Sequence, residues 1–273
     1  MSAPAVARHT DSRELAAVSF QGVGRTFGGG RTGLGEVVAV EYADLDIQAG
    51  EFVCVLGPSG CGKSTLLNMV AGLDAPSKGR VLFEGNEVTE VNTKVGYMPQ
   101  ESKLFPWLTA ERNVDFPLRV RKVPPERRKE LVTEYLAKVG LTGFESAYPH
   151  QLSGGMQKRA SLARTLVYRP SLLLMDEPFS ALDSQTKMVM HEELLNLWEA
   201  EQCTTLFITH DLVEAITLAD RVVVMTRRPS RVAEIVDIPL TRPRDVYAIY
   251  EQAGFEDIYD HLLALVKKEM RYE

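Results

Sequence analysis

The stretch Phe52-Val53-Cys54-Val55-Leu56-Gly57-Pro58-Ser59-Gly60-Cys61-Gly62-Lys63-Ser64-Thr65 joins an unbroken apolar run to a glycine-rich turn that ends in Lys-Ser-Thr. A run with no polar alternation is the pattern of a parallel strand buried on both faces. The turn from Gly57 to Ser64 fits G-x-x-x-x-G-K-[ST] in the strand-loop-helix context which that pattern requires, so this is a phosphate-binding loop. Gly57, Gly60 and Gly62 let backbone N–H groups turn toward a phosphate with no Cβ in the way. The start of a helix over Lys63–Val70 adds its dipole. Ser59, Cys61 and Thr65 complete the cradle, Lys63 neutralises β- and γ-phosphate oxygens, and Ser64 is a ligand for Mg2+.

Working outward, apolar runs at residues 172–175, 205–208 and 222–225 repeat the pattern of Phe52–Leu56. Helical patterns lie between and after them, at 184–200 and Leu212–Leu218. Alternating strands and helices imply an α/β core that binds its ligand at the carboxyl ends of the strands. The run at 172–175 ends in Asp176-Glu177, two carboxylates at a strand end beside the phosphate loop. Asp176 suits the magnesium shell. Glu177, one residue further, suits a base that deprotonates water attacking the γ-phosphate; a strand ending in two solvated acids is the alternative reading.

Two regions break the alternation. Residues 15–56 and 80–99 contain short β-prone stretches with turn glycines, which predicts an antiparallel sheet beside the parallel one. Residues 101–168 read as a mainly helical insert, with a helix begun by Pro124-Pro125 and ended by Gly140. The residues after Met225 suffice for a hairpin over 232–240 and a helix over about 245–270, a C-terminal helical tail spanning 241–273. Residues 1–16 have no apolar core of a signal peptide and read as a flexible N-terminal extension.

Composition narrows the function. With 273 residues, 45% hydrophobic and a net charge of −6, the chain has no basic excess for gripping nucleic acid. Its three cysteines, Cys54, Cys61 and Cys203, lack zinc or disulfide-framework spacing and suit reducing cytosol. No apolar run approaches the ~20 residues of a membrane span.

Leu152-Ser153-Gly154-Gly155-Met156-Gln157-Lys158-Arg159 is a glycine-rich turn opening a helix, with Ser153 as its cap. This stretch resembles the LSGGQ signature of the ATP-binding cassette (ABC) ATPases, and its place between the phosphate loop and Asp176-Glu177 matches that family's order. The resemblance covers residues 17–240 and implies a P-loop NTPase core with a flanking antiparallel β-subdomain and a helical ABC subdomain at about 101–168. It implies ATP and Mg2+ as cofactors and a head-to-tail dimer, of one chain or of two paralogues. In that dimer Ser153, Gly154 and Gly155 of one subunit close over ATP held by Lys63 and Ser64 of the other. It also implies that Gln100 contacts the metal and the attacking water, that His210 contacts the γ-phosphate, and that Asp183, in Ser180-Ala181-Leu182-Asp183, lies in the loop crossing the dimer interface. Phe27 matches the aromatic that stacks on adenine, with Phe20 close by as the other aromatic.

After Gln100 comes Phe105-Pro106-Trp107-Leu108-Thr109, then Asn113-Val114. From the residues alone this is an amphipathic loop running into a helix capped by Thr109. It is also similar to the nitrate/sulfonate/taurine importer group, whose groove here receives the coupling helix of a membrane subunit. Phe105 and Trp107 are then contacts for that helix. Arg228-Pro229-Ser230-Arg231-Val232 through Pro243-Arg244 is similar to the same group's C-terminal hairpin, although its arginines equally fit a solvated face. The resemblance therefore implies an ATPase peripheral to the cytoplasmic face of the inner membrane, partnered by an integral permease and, indirectly, by an extracytoplasmic solute-binding protein. A soluble non-transport ABC ATPase, such as a cluster-assembly factor, is the alternative, and a lipid or efflux cassette is a third reading.

Overall fold

Strands that are apolar at every position need cover on both faces, and the chain supplies it with helices on one side and with a helix and further strands on the other. The computed structural model describes residues 16–28, 35–101 and 104–270. The first elements are β1 (Ala16–Phe27), β2 (Val37–Gln48), β3 (Phe52–Leu56), α1 (Lys63–Val70), β4 (Lys78–Phe83), β5 (Asn86–Glu87) and β6 (Val95–Met98). Next come α2 (Ala110–Val120), α3 (Pro125–Lys138) and α4 (Gly154–Leu166). The chain continues through β7 (Leu172–Asp176), α5 (Ser184–Glu201), β8 (Thr204–Ile208), α6 (Leu212–Leu218), β9 (Arg221–Met225), β10 (Ser230–Asp237) and α7 (Phe255–Met270). Among the described residues no helix is long and apolar enough to cross a membrane.

All ten strands form one sheet in the order β5-β4-β1-β2-β10-β9-β3-β8-β7-β6. Its parallel part is β9-β3-β8-β7-β6. Period-2 geometry sends Phe52, Cys54 and Leu56 of β3 into a core shared with Trp198 of α5 and Ile216 of α6, while Val53 and Val55 face Leu66, Leu67 and Met69 of α1. The phosphate loop thus leaves the centre of a strand clamped on both faces. In the helical insert, the buried Tyr135 donates its hydroxyl to Glu201 Oε1 at 3.1 Å, and Lys138 meets the same oxygen at 2.6 Å, fastening α3 to the end of α5.

Four expectations change. The antiparallel strands are not a separate sheet, because Ser230 and Arg231 of β10 pair in parallel with Val40 and Tyr42 of β2 while the rest of β10 runs antiparallel to β9. Residues 95–98, expected within the antiparallel region, instead form a parallel edge strand against β7. The hairpin expected over 232–240 is formed by β9 and β10, and β10 stops at Asp237 because Pro239 has no N–H for a ladder. The helix expected from 245 begins only at Phe255, because Gly254 has φ +91°, outside helical space. The extension expected over 1–16 lies outside the described residues, except for Ala16, which opens β1.

Arg244 fixes the turn between β10 and α7. It is 6% exposed and donates from Nη1 to the carbonyls of Ile216, Thr217 and Ala219 at 3.0, 3.1 and 2.6 Å. Nη2 reaches those of Ile238 and Leu240 at 3.2 and 3.4 Å. The last carbonyls of α6, which have no partner within the helix, thereby gain one. Burial lowers the guanidinium to about 10, still charged at neutral pH.

Candidate functional site

The phosphate loop is held in a conformation that only glycine adopts without strain at two points, Gly60 (φ +74°) and Gly62 (φ +102°). A Cβ on Gly62 would also lie 3.0 Å from Val40 and 3.1 Å from the Ala39 carbonyl. Among the described residues no side chain caps α1, so its first-turn N–H groups are left to a ligand. Lys63 is 6% exposed, and its Nζ donates to the carbonyls of Gly57 at 2.7 Å and Pro58 at 3.0 Å. The ammonium is thus pre-set against the loop that it would serve.

The loop borders a cavity of about 410 Å3 whose walls include Phe27, Ser59, Lys63, Gln100, Glu177 and Arg228. Gly60, Gly62, Ser64, Thr65 and Asp176 also reach it. Gly57 and Cys61 act from behind: Gly57 through its carbonyl to Lys63, and Cys61 as a buried side chain 3.0 Å from where a Cβ on Gly57 would sit. The two candidate aromatics separate cleanly, since Phe20 is fully buried in the core whereas Phe27 is 40% exposed at the cavity. The Arg25 guanidinium sits 4.5 Å from the Phe27 ring centroid and is itself tied to Asp74 at 2.6 Å, which fixes the ring from one side.

At the strand ends, Glu177 adopts φ +42°, a left-handed conformation unusual for its residue type, and its N–H donates to the Ile208 carbonyl at 3.0 Å. His210 Nδ1 lies 3.1 Å from Glu177 Oε2, and Gln100 Nε2 donates to the same oxygen at 3.4 Å. Burial raises the Asp176 carboxyl, and the Glu177 charge adds to this. The Ser64 hydroxyl and the Lys63 charge act in the opposite direction. Burial and the Asp176 charge likewise push the Tyr97 phenol up to about 12, and it donates to Asn68 at 3.0 Å. Ser64, Asp176 and Gln100 offer a hydroxyl, a carboxylate and an amide oxygen, a hard donor set that fits Mg2+ shared with substrate phosphates. Among the described residues no group of three His, Cys, Asp or Glu could hold a metal ion by itself.

Ser153, Gly154, Gly155 and Asp183 stand apart from this cavity. They line another of about 510 Å3, where Ser153 caps α4 by accepting from Met156 N–H and Asp183 caps α5 by accepting from Thr186. A Cβ on Gly155 would come within 2.9 Å of the Thr186 methyl. Within one chain, then, the candidate residues fall into two separate groups, each at its own cavity. Lys158 of α4 bridges toward the first by donating to the Gln100 carbonyl at 3.1 Å.

The ABC transporter family profile matches residues 40–180, more than half of the 273-residue chain. The chain belongs to the ABC transporter family. It is an ABC ATPase, an ATP-binding subunit of a transporter. An uncharacterised ABC transporter ATP-binding protein of Methanocaldococcus jannaschii is 48% identical over 234 residues, covering 86% of each chain. The nitrate import ATP-binding protein NrtD of Synechocystis is 42% identical, over 85% of this chain and 90% of that one. The aliphatic sulfonates import ATP-binding protein SsuB of Bacillus anthracis is 44% identical, over 77% and 83%. Among solved structures, the dimeric cassette MJ0796 in a post-hydrolysis state bound to ADP and Pi superposes with a TM-score of 0.71 at 32% identity, over 81% of this chain and 98% of that one.

Arg228 and Ala39 are the cavity residues that the sequence did not signal, and Arg228 is the charged one. Arg228 sits in the turn between β9 and β10, lines the cavity at the phosphate loop and donates from Nε to the Gly60 carbonyl in a short hydrogen bond. The signal that could have found it is topological: β9 neighbours β3, so the turn after β9 must emerge beside the loop after β3.

Proposed function

We propose that this ATPase is the energy-coupling subunit of an ABC importer, driving uptake of a small anion of the nitrate, sulfonate or taurine type through a separate permease. The observation that carries the importer reading is the aromatic loop at 105–109. Trp107 is 69% exposed and Phe116 41%, and the Phe105 ring lies 5.5 Å from the first and 4.8 Å from the second. This exposure is built in. Asn113, 0% exposed, accepts from Phe105 N–H at 2.7 Å and donates to the carbonyls of Phe105, Leu108 and Thr109 at 3.0–3.2 Å. A rigid loop that presents a tryptophan to solvent suits a partner helix. Relatives named for nitrate and aliphatic sulfonate import support the same solute class.

For the chemistry, ATP is bound with adenine on Phe27 and its phosphates in the loop, Lys63 meeting β- and γ-oxygens. Ser64, Asp176 and Gln100 would hold Mg2+, which when bound neutralises phosphate charge. Glu177 takes a proton from water as its oxygen attacks the γ-phosphorus and the bond to the β-γ bridging oxygen breaks, releasing ADP and phosphate. His210, hydrogen-bonded to Glu177, contacts the γ-phosphate. The Ser153–Gly155 turn and Asp183 of a second cassette close the site, so that each chain contributes two half-sites, a reading supported by the two separate cavities and by the dimeric relative. Subunit closure on ATP then switches the permease.

The test is affinity purification of the chain from detergent-solubilised native membranes with mass spectrometry. A multi-spanning protein in near-equal amount, losing its association on Trp107→Ala, is the expected result. Recovery from the soluble fraction alone overturns the importer reading in favour of a non-transport ABC ATPase.

A further inference from the structure

Behind Glu177 and His210 lies a line of buried polar side chains that neither the phosphate loop nor the metal donors use. His191 of α5, 6% exposed, brings its Nε2 to 2.6 Å from Oε1 of Glu214 on α6, which is 5% exposed. The other carboxylate oxygen, Oε2, accepts a short hydrogen bond from the hydroxyl of Thr209, 1% exposed. That hydroxyl in turn accepts the N–H of Asp211 at 3.0 Å. The Thr209 side chain therefore spans His210, joined to the residue after it and anchored to α6. Asp211 closes the turn by accepting the N–H groups of Val213 and Glu214 at 3.0 and 3.2 Å. His191 also touches the other strand end: its ring lies 5.7 Å from that of Phe179, two residues past Glu177.

Three polar groups taken out of water are costly unless each is paired, and here both Glu214 oxygens are engaged. Apolar side chains would fill the same space more cheaply. What the polar line supplies instead is direction, since hydrogen bonds fix the Thr209–Asp211 turn about axes that dispersion contacts leave free.

We infer that His191, Glu214 and Thr209 are positioning residues for hydrolysis: they hold the turn that aims His210 at Glu177 and at the terminal phosphate. This rests on the reading of His210 as a γ-phosphate contact. Because His191 belongs to α5, whose first turn is capped by Asp183, the line also ties the aim of His210 to the helix that begins at the second half-site.

The experiment measures kcat and KM for ATP, and Kd for ADP, in Thr209→Val, His191→Leu, His191→Gln and His210→Ala. Thr209→Val exchanges a hydroxyl for a methyl and keeps the shape, so it serves even where His191→Leu fails to fold. Expected are at least tenfold losses of kcat in Thr209→Val and His191→Leu, with KM for ATP and Kd for ADP moving less than about threefold. His191→Gln, which keeps a side-chain donor for Glu214, restores most of the rate. A wild-type kcat in Thr209→Val, with His210→Ala slow, overturns the inference while leaving the role of His210 intact. A loss of rate matched by an equal loss of ADP affinity, without rescue by glutamine, also overturns it, because packing alone does that. A wild-type kcat in His210→Ala overturns the reading of His210 itself.

Discussion

Replacing Lys63 with alanine tests the phosphate-loop assignment quantitatively. An ammonium has three N–H donors, and Lys63 commits two of them to the carbonyls of Gly57 and Pro58. That leaves one directed donor for a phosphate oxygen. A charge-assisted hydrogen bond is worth about 1.5–3 kcal/mol net, so its loss weakens binding by about 10–150-fold. The effect should appear for ATP and ADP, whose β-phosphates reach the ammonium, and disappear for adenosine, which has no phosphate. Titration calorimetry with all three ligands checks this, the adenosine arm guarding against a collapsed cavity. An ATP affinity within twofold of wild type refutes the assignment. An equal loss for adenosine refutes the donor count, because the damage is then to the fold rather than to the contact.

Glu177→Gln should bind ATP within about twofold of wild type yet hydrolyse it about 100–10,000-fold more slowly, the usual span for removing a general base, in a phosphate-release assay. Arg228→Ala frees the Gly60 carbonyl and removes a cation from the cavity wall; ATP affinity should fall by about three- to tenfold, more at low ionic strength than at high. Asn113→Ala leaves the loop at 105–109 without the Asn113 side chain that accepts from Phe105 N–H and bridges three of its carbonyls, and the expected cost is about 2–3 kcal/mol in urea unfolding, with permease association lost and ATPase activity of the isolated chain retained. Arg244→Met strips the carbonyls at the end of α6 of their donor, and a stability loss of about 3–5 kcal/mol with faster amide exchange in α7 is the expected result.

The elements legible in the sequence were those whose signals are local. The run Phe52–Leu56 and the helix starts at Lys63 and Leu212 fall where the patterns predicted, because an uninterrupted apolar strand and a glycine-flanked or Asp-capped helix start carry their own boundaries. Of the residues that the motifs single out, Ser59, Gly60, Gly62, Lys63, Ser64, Thr65, Gln100, Asp176 and Glu177 come together at one cavity on folding. What escaped depended on distant pairings. β10 reads as half of a tail hairpin, since nothing in residues 230–237 says that Ser230 will donate its hydroxyl to the Ala39 carbonyl at 2.8 Å. Arg228 and Arg244 look like surface charge in a run of arginines and prolines, yet one lines the cavity at the phosphate loop and the other is buried among backbone carbonyls. His191 on an apolar helix face gives no hint of Glu214 or Thr209, which reach it only once α5, α6 and β8 are packed.

The way β10 is stitched into the sheet has a mechanical consequence. Through it the strand bearing Phe27, the strand ending in the phosphate loop and the turn bearing Arg228 belong to one hydrogen-bonded lattice. In the proposed pose, base and phosphates of a bound nucleotide would both rest on this one sheet, and strand pairing would set the distance between them. Gln100 follows β6 at the far edge of the same sheet, and α4 meets it there through the long side chain of Lys158. A permease docked on the loop at 105–109, as proposed, would load the sheet at that edge, where the loop follows Gln100 in the chain, rather than at the centre, where Lys63 follows β3.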